Sequence, residues 1–222
     1  MSTTAITPRW EWRCFAPSLA NLAQAVSIPA DAAPRESEET YILDLAGRVS
    51  DSVKVREGTL DVKRLLRTDS DGLELWEPVL KAQFPLSQKD VAAVFGTWVP
   101  PRAALTRETC TFEQLIDEIV APRPALRLVQ VKKSRRVFTF AGCGAELVQI
   151  AADSISIQSF SLEHEDSNRL LAALQTLRLD PHANTNYIVG LKRALRLEHA
   201  SDNADRQGRL QAAGGSGAKG RM

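Results

Sequence analysis

Lys54 and Arg56 stand two residues apart in Val53-Lys54-Val55-Arg56, with the valines alternating against them. A strand has period two, so both cations share one face and both valines the other. The pattern recurs in Asp61 with Lys63, in Gln130 with Lys132, in Glu163 with Glu165, and in Arg9, Glu11 and Arg13 around Trp10 and Trp12. Arg forks grip phosphate oxygens in pairs, and Lys supplies a compact charge. The basic set is Arg13, Lys54, Arg56, Lys63, Lys132, Lys133, Arg135 and Arg136. Its chemistry is the binding of a polyanion. The acidic set is Glu11, Glu146, Glu163 and Glu165. Two strand carboxylates at i and i+2 project together and could hold Mg²⁺ or Mn²⁺, or could equally pair with the neighbouring cations. The plain reading of any one alternating strand is a solvated face. Repeated on several strands, the pattern suits a closed sheet with a charged lumen and helices outside. An external basic patch for RNA is the other reading. The aromatic content of 6%, with no strand carrying paired exposed aromatics, argues against it.

The elements that must position these residues are read from periodicity and turns. Strands are expected over Arg9–Phe15, Thr40–Leu45, Val53–Glu57, Thr59–Arg67 and Leu73–Ala82, with a tight hairpin at Glu57-Gly58. A short helix fits Leu19–Val26, and the Pro- and Ala-rich stretch Ile28–Glu36 reads as a loop. The period then changes. Ser87 with Asp90 resembles a capping box before Val91, Val94 and Phe95, and Gly96 ends that helix. Pro100-Pro101 marks a break, and Thr111 opens a second helix bearing Leu115, Ile116 and Ile119. Strands resume at Leu126–Lys133, Arg135–Phe140, Ala145–Ala151 and Ser154–Glu163, with Gly142 and Gly144 at one turn. Two last helices follow, one capped by Asp166 and one by Asn184 or Asn186. The four tryptophans are expected outside the sheet. The sum is an α+β fold of eight or nine antiparallel strands, one domain over residues 1–199, with a disordered polar and Gly-rich tail over 200–222.

With 222 residues, 44% of them hydrophobic, the chain can bury a core without staples. A net charge of +1 carries no global bias, so a basic function must come from clustering. Cys14, Cys110 and Cys143 are odd in number and widely spaced, against a disulfide framework or a structural zinc site. No apolar run approaches a membrane span, and a soluble cytoplasmic protein is expected. His164, His182 and His199 stand in unrelated contexts with no nucleophile motif nearby, and the tail is no phosphate-binding loop.

In this order, the motifs resemble those of the CYTH superfamily of triphosphate tunnel enzymes, which includes thiamine triphosphatases, class IV adenylate cyclases and inorganic triphosphatases. The family's opening E-x-E-x-K is similar to Arg9-Trp10-Glu11-Trp12-Arg13, its paired basic residues to Lys54, Arg56 and Lys63, and its later basic strand to Val131–Arg136. Its late E-x-E is similar to Glu163-His164-Glu165, and its closing Ser-Tyr helix to Asn186-Tyr187 with Leu191. The resemblance spans Arg9 to Leu197. It implies an eight-stranded antiparallel barrel, open at both ends, that hydrolyses a triphosphate or short polyphosphate with Mg²⁺ or Mn²⁺. Arg13, Lys54, Arg56, Lys63, Lys132, Lys133 and Arg135 would then hold phosphates. Glu11, Glu163 and Glu165 would hold the metal, with Glu11, Lys132 and Arg135 at the reacting group. Arg9 departs from the pattern by replacing the first glutamate, and favours a non-catalytic polyanion-binding module as the alternative. A cyclase is the third possibility, although no nucleotide-base pocket is legible.

Overall fold

The computed structural model describes residues 7–47, 50–96, 98 and 107–197. The break at Pro100-Pro101, His199 and the tail from residue 200 lie outside the described residues. Period-two alternation builds β1 (Arg9–Ala16), β2 (Arg35–Asp44), β3 (Ser52–Arg56), β4 (Thr59–Thr68) and β5 (Glu74–Gln83), with the short α1 (Ala20–Ala25) between the first two. A two-stranded accessory, β6 (Leu86–Ser87) with β7 (Thr109–Cys110), brackets α2 (Gln88–Phe95). Then come α3 (Phe112–Leu115), which runs into a π-turn at Ile116–Val120, and the strands β8 (Leu126–Phe140), β9 (Cys143–Ala152) and β10 (Ile155–His164). The helices α4 (Ser167–Thr176) and α5 (Tyr187–Ala194) close the chain.

Eight strands form a closed antiparallel barrel in the order β1-β10-β9-β8-β2-β3-β4-β5, with β5 returning to β1. Local chemistry sets the joints. Glu57 and Gly58 both take positive φ, 50° and 67°, and join Arg56 to Thr59 as a two-residue hairpin whose twist matches the strands. Ala141-Gly142 repeats the device between β8 and β9. Ser87, Thr111, Asp166 and Asn186 each accept a backbone N–H at a helix start, and Thr111 completes a reciprocal box with Gln114.

The outside of the barrel carries two apolar clusters. Val53, Val55, Leu60 and Val62 pack beneath α2 and α3. Trp10, Trp12, Phe160 and Leu162 pack beneath α4. A third cluster is internal. Tyr41, Leu43, Val129, Val131, Val148 and Ile150 meet Tyr187, Ile188 and Leu191 of α5. Half of the lumen is therefore filled with apolar side chains and closed by α5, which corrects the expectation of a tunnel open at both ends. The remaining half is the charged cavity. No described helix is long and apolar enough to cross a membrane.

Several element expectations are also corrected. β2 starts at Arg35, not Thr40, because Arg35–Glu39 pair with β8 even where β3 does not reach them. The expected break at Ser134 is absent. Ser134 pairs with Glu36 on one side and Gln149 on the other, so β8 runs unbroken through fifteen residues. Gly144 belongs to β9 rather than to a turn. Asn186 caps α5, while Asn184 bonds the backbones of Arg13 and Gly72. Trp76 lines the lumen, since β5 meets β1 with Glu74 opposite Glu11 and Trp76 opposite Arg9. Trp10, Trp12 and Trp98 lie in the outer clusters as expected.

Candidate functional site

The charged half of the lumen is a cavity of about 210 Å³. That is small beside pockets for drug-sized ligands, which start at roughly 300 Å³. Its walls differ because of strand order. The consecutive strands β5, β1, β10 and β9 bring in Glu74, Glu11, Glu163 and Glu146. The other four bring in Lys133 and Arg135 from β8, Lys54 and Arg56 from β3, and Lys63 from β4. Each wall holds an exception: Arg13 on the acidic side, and Glu39 and Asp61 on the basic side.

Glu39 organises the basic wall. Its side chain is 0% exposed and has four cations around it: Lys133 at 2.8 Å, Lys54 and Arg56 at 3.4 Å, and Arg135 at 3.7 Å. The Tyr41 hydroxyl donates to it at 2.9 Å and accepts from Lys133 at 2.7 Å. Burial alone would raise the Glu39 pKa. The ammonium groups of Lys133 and Lys54 outweigh burial and hold it at about 2. Burial pushes the Lys133 ammonium down to about 7 against the pull of Glu39, with Lys54 adding like-charge repulsion. Lys54 is likewise lowered by burial, against Glu39 and Asp61, the latter 3.9 Å away. One buried carboxylate thus stands among four cations, and the excess positive charge faces the cavity.

The acidic wall is tied up by cations and donors. Glu11 pairs across β1 with Glu163 on one side and Glu74 on the other, a row of three carboxylates on adjacent strands. Arg13 Nε binds Glu11 at 2.9 Å, and its Nη1 lies 3.8 Å from Glu146 and donates to Ser159 at 3.1 Å. Burial opposes both charges of the Glu11–Arg13 pair. Their mutual attraction wins, which lowers the Glu11 pKa and raises that of Arg13. Arg9 binds Glu163 at 2.7 Å, so its partner is Glu163, while Glu11 belongs to Arg13. Glu74 accepts from Trp76 Nε1 at 3.1 Å and Asn186 Nδ2 at 2.9 Å, and burial raises its pKa against those bonds.

The fold thus gathers Glu11, Arg13, Lys54, Arg56, Lys63, Lys133, Arg135 and Glu163 around one lumen. Three expected residues are not among them, one being Arg136, which is exposed on the same face of β8 as Lys132. Lys132 points outward, 76% exposed and paired with Glu38, because Lys133 and Arg135 hold the inward positions of β8. On β8 the apolar face of Val129 and Val131 turns inward against α5, while Gln130 and Lys132 on the opposite face are exposed. Alternation alone could not choose the face there. Glu165 falls in the bend after β10 and is exposed, so it makes no strand pair with Glu163. Glu39, Glu74 and Tyr187 were missed. Glu39 lies among acidic and polar neighbours between the expected loop and the expected strand, Glu74 is a lone carboxylate between apolar residues, and Tyr187 entered only through the resemblance of the closing helix, without a role at the site.

The donor set does not fit Mg²⁺ or Mn²⁺ as it stands. Oxygens of Glu11 and Glu163 are engaged by guanidinium groups, and Glu165 lies elsewhere. Among the described residues no group of three or more metal-ligating side chains is placed to hold an ion.

No protein-family model matches the chain, and no curated protein matches its sequence. Several solved structures are similar over most of their length. An adenylate cyclase candidate from Bacillus halodurans is 13% identical, over 82% of this chain and 95% of its own, with a TM-score of 0.42. The adenylyl cyclase candidate HpAC1 from Hippeastrum, described with a dominant triphosphatase activity, is 14% identical over 86% of this chain and 99% of its own, at a TM-score of 0.45. A conserved hypothetical protein from Pyrococcus furiosus is 16% identical over 81% of this chain and 98% of its own, at a TM-score of 0.44. The chain itself shows eight antiparallel strands closed around an inward set of charges.

Proposed function

We propose that this chain binds a triphosphate or short polyphosphate group in its lumen, as a binding module in which hydrolysis is held back by two ion pairs. The observation that carries this reading is the basic wall: four cations around the single buried carboxylate of Glu39. Lys54, Lys63, Lys133 and Arg135 line the cavity and would contact phosphate oxygens. Arg56 would act from the rim through Glu39. Arg13 holds Glu11, and Arg9 holds Glu163, the two family-like metal ligands that reach the lumen. The small cavity favours the bare phosphate chain over a nucleotide as the enclosed portion.

Calorimetry with tripolyphosphate tests this. Binding is expected, and it should weaken as ionic strength rises, because a polyanion is drawn by charges that salt screens. Lys54→Ala should weaken it about 10- to 100-fold, the range for one hydrogen bond to a charged group. Arg56→Ala should do less, since Arg56 reaches the site only through Glu39. Affinity that stays flat across salt, or that Lys54→Ala leaves unchanged, would overturn the lumen as a phosphate site.

A further inference from the structure

Among the described residues three buried side-chain polar atoms have no hydrogen-bond partner: Ser37 Oγ, Trp98 Nε1 and the Tyr187 hydroxyl. Trp98 packs in the outer cluster beneath α2. Only Tyr187 also lines the charged cavity. Tyr187 belongs as well to the internal apolar cluster, so it stands at the floor of the cavity, where the charged half of the lumen meets the filled half.

Its ring is held on several sides. Tyr41 stacks on it at 5.0 Å between centroids and 19° between planes, and Phe15 meets it edge-on at 5.7 Å. Lys133 Nζ lies 3.9 Å from its centroid, and the Arg13 guanidinium 5.3 Å from it. Asn186, the N-cap of α5, anchors the segment to Glu74. Burial is the main reason that the phenol pKa is raised, with Glu39 and Glu146 adding to the rise and Arg13 and Arg135 opposing it. The group therefore stays a neutral O–H donor at any ordinary pH. The contrast with Tyr41 is informative, because that hydroxyl both donates to Glu39 and accepts from Lys133. A buried donor without an acceptor is disfavoured, and a ligand oxygen at this place would satisfy it.

We propose that the Tyr187 hydroxyl is a ligand-binding donor that receives the terminal phosphate at the closed end of the lumen. This rests on the reading of the lumen as a phosphate site and adds a direction to it. Below Tyr187 the lumen is occupied by Leu43, Val129, Ile150 and Leu191, so a phosphate chain cannot thread through. It enters by its free phosphate end, and whatever else the ligand carries stays toward the open rim.

Tyr187→Phe removes only the oxygen and keeps the ring contacts. Its melting temperature is expected to equal or exceed that of the unmodified protein, since an unsatisfied polar atom is lost. Its affinity for tripolyphosphate, by calorimetry, is expected to fall about 10- to 100-fold. The ³¹P resonances of bound tripolyphosphate add a second readout. A terminal-phosphate shift present with the unmodified protein should vanish in the variant, and the central resonance should change less. Equal affinity and unchanged resonances in a folded Tyr187→Phe protein would overturn this inference alone. Absence of any tripolyphosphate binding by the unmodified protein would overturn the lumen reading and this inference with it.

Discussion

Glu39→Gln is expected to lower the unfolding free energy by about 3–5 kcal/mol, the range seen when one partner of a buried ion pair is removed. The carboxylate is 0% exposed and Lys133 beside it is 5% exposed, so solvent cannot replace the lost charge. Four cations would face one another across the gap. The acid limb of stability should change too. A carboxylate held at about 2 in the folded chain, against an ordinary value of 4.5, contributes stability that is present above 4.5. That contribution is lost as pH falls from there toward 2. Urea unfolding at pH 7 and pH 3 should therefore show a large gap between the two proteins at pH 7 and a smaller one at pH 3. Tripolyphosphate should restore part of the loss at pH 7, because a ligand bound only by the folded state stabilises it by mass action. Equal stability of the two proteins at pH 7 would show that the cations do not depend on Glu39, and the basic wall as described would fall.

Arg9→Glu is expected to raise Mn²⁺ affinity about tenfold or more and to bring out Mn²⁺-dependent phosphate release from tripolyphosphate. Arg9 now neutralises Glu163 at 2.7 Å. The substitution frees that carboxylate and adds another beside it, on a strand where Glu11 already pairs with Glu163 and Glu74. A unit charge at ~5 Å is worth about 3 kcal/mol at an effective dielectric near 20. Arg9 and Glu163 are 53% and 37% exposed, and solvent screening cuts the change to about 1–2 kcal/mol. Calorimetric titration with Mn²⁺ and a phosphate-release assay make the comparison. If Mn²⁺ affinity is the same in both proteins, Arg9 does not hold Glu163 back. Vigorous hydrolysis by the unmodified chain that Arg9→Glu abolishes would make Arg9 a substrate ligand instead.

Local signals were legible where one face of a strand is buried and the other is not. Lys54 and Arg56 alternate with Val53 and Val55, and those valines do pack beneath α2 and α3 while the cations turn inward. Arg9, Glu11 and Arg13 behave the same way around Trp10 and Trp12, which pack beneath α4. The helix starts were legible because Ser87, Thr111 and Asp166 serve N–H groups within three residues of themselves. A closed sheet with a charged lumen was suggested by the same alternation repeated on several strands, while the count of eight in a barrel came from the family resemblance, and the structure shows both.

The tertiary structure decided what alternation cannot. On β8 alternation puts Lys132 on one face with Gln130, but α5 packs on Val129 and Val131 inside the barrel, so that polar face turns outward and Lys133 inward. Glu163 and Glu165 share a period, but β10 ends at His164 and releases Glu165 to solvent. The composition of each wall depends on which strands become neighbours. Glu11, Glu74 and Glu163 come together from three strands far apart in sequence, and Glu39 meets cations from β3 and β8. The sequence by itself determined the strands, their charged faces and the chemistry those faces carry, because those are set by neighbours two or three residues away. Only the closed fold decided which charges meet, which are neutralised and where the lumen ends, because those depend on strand order and on a helix that arrives more than a hundred residues after the first basic strand.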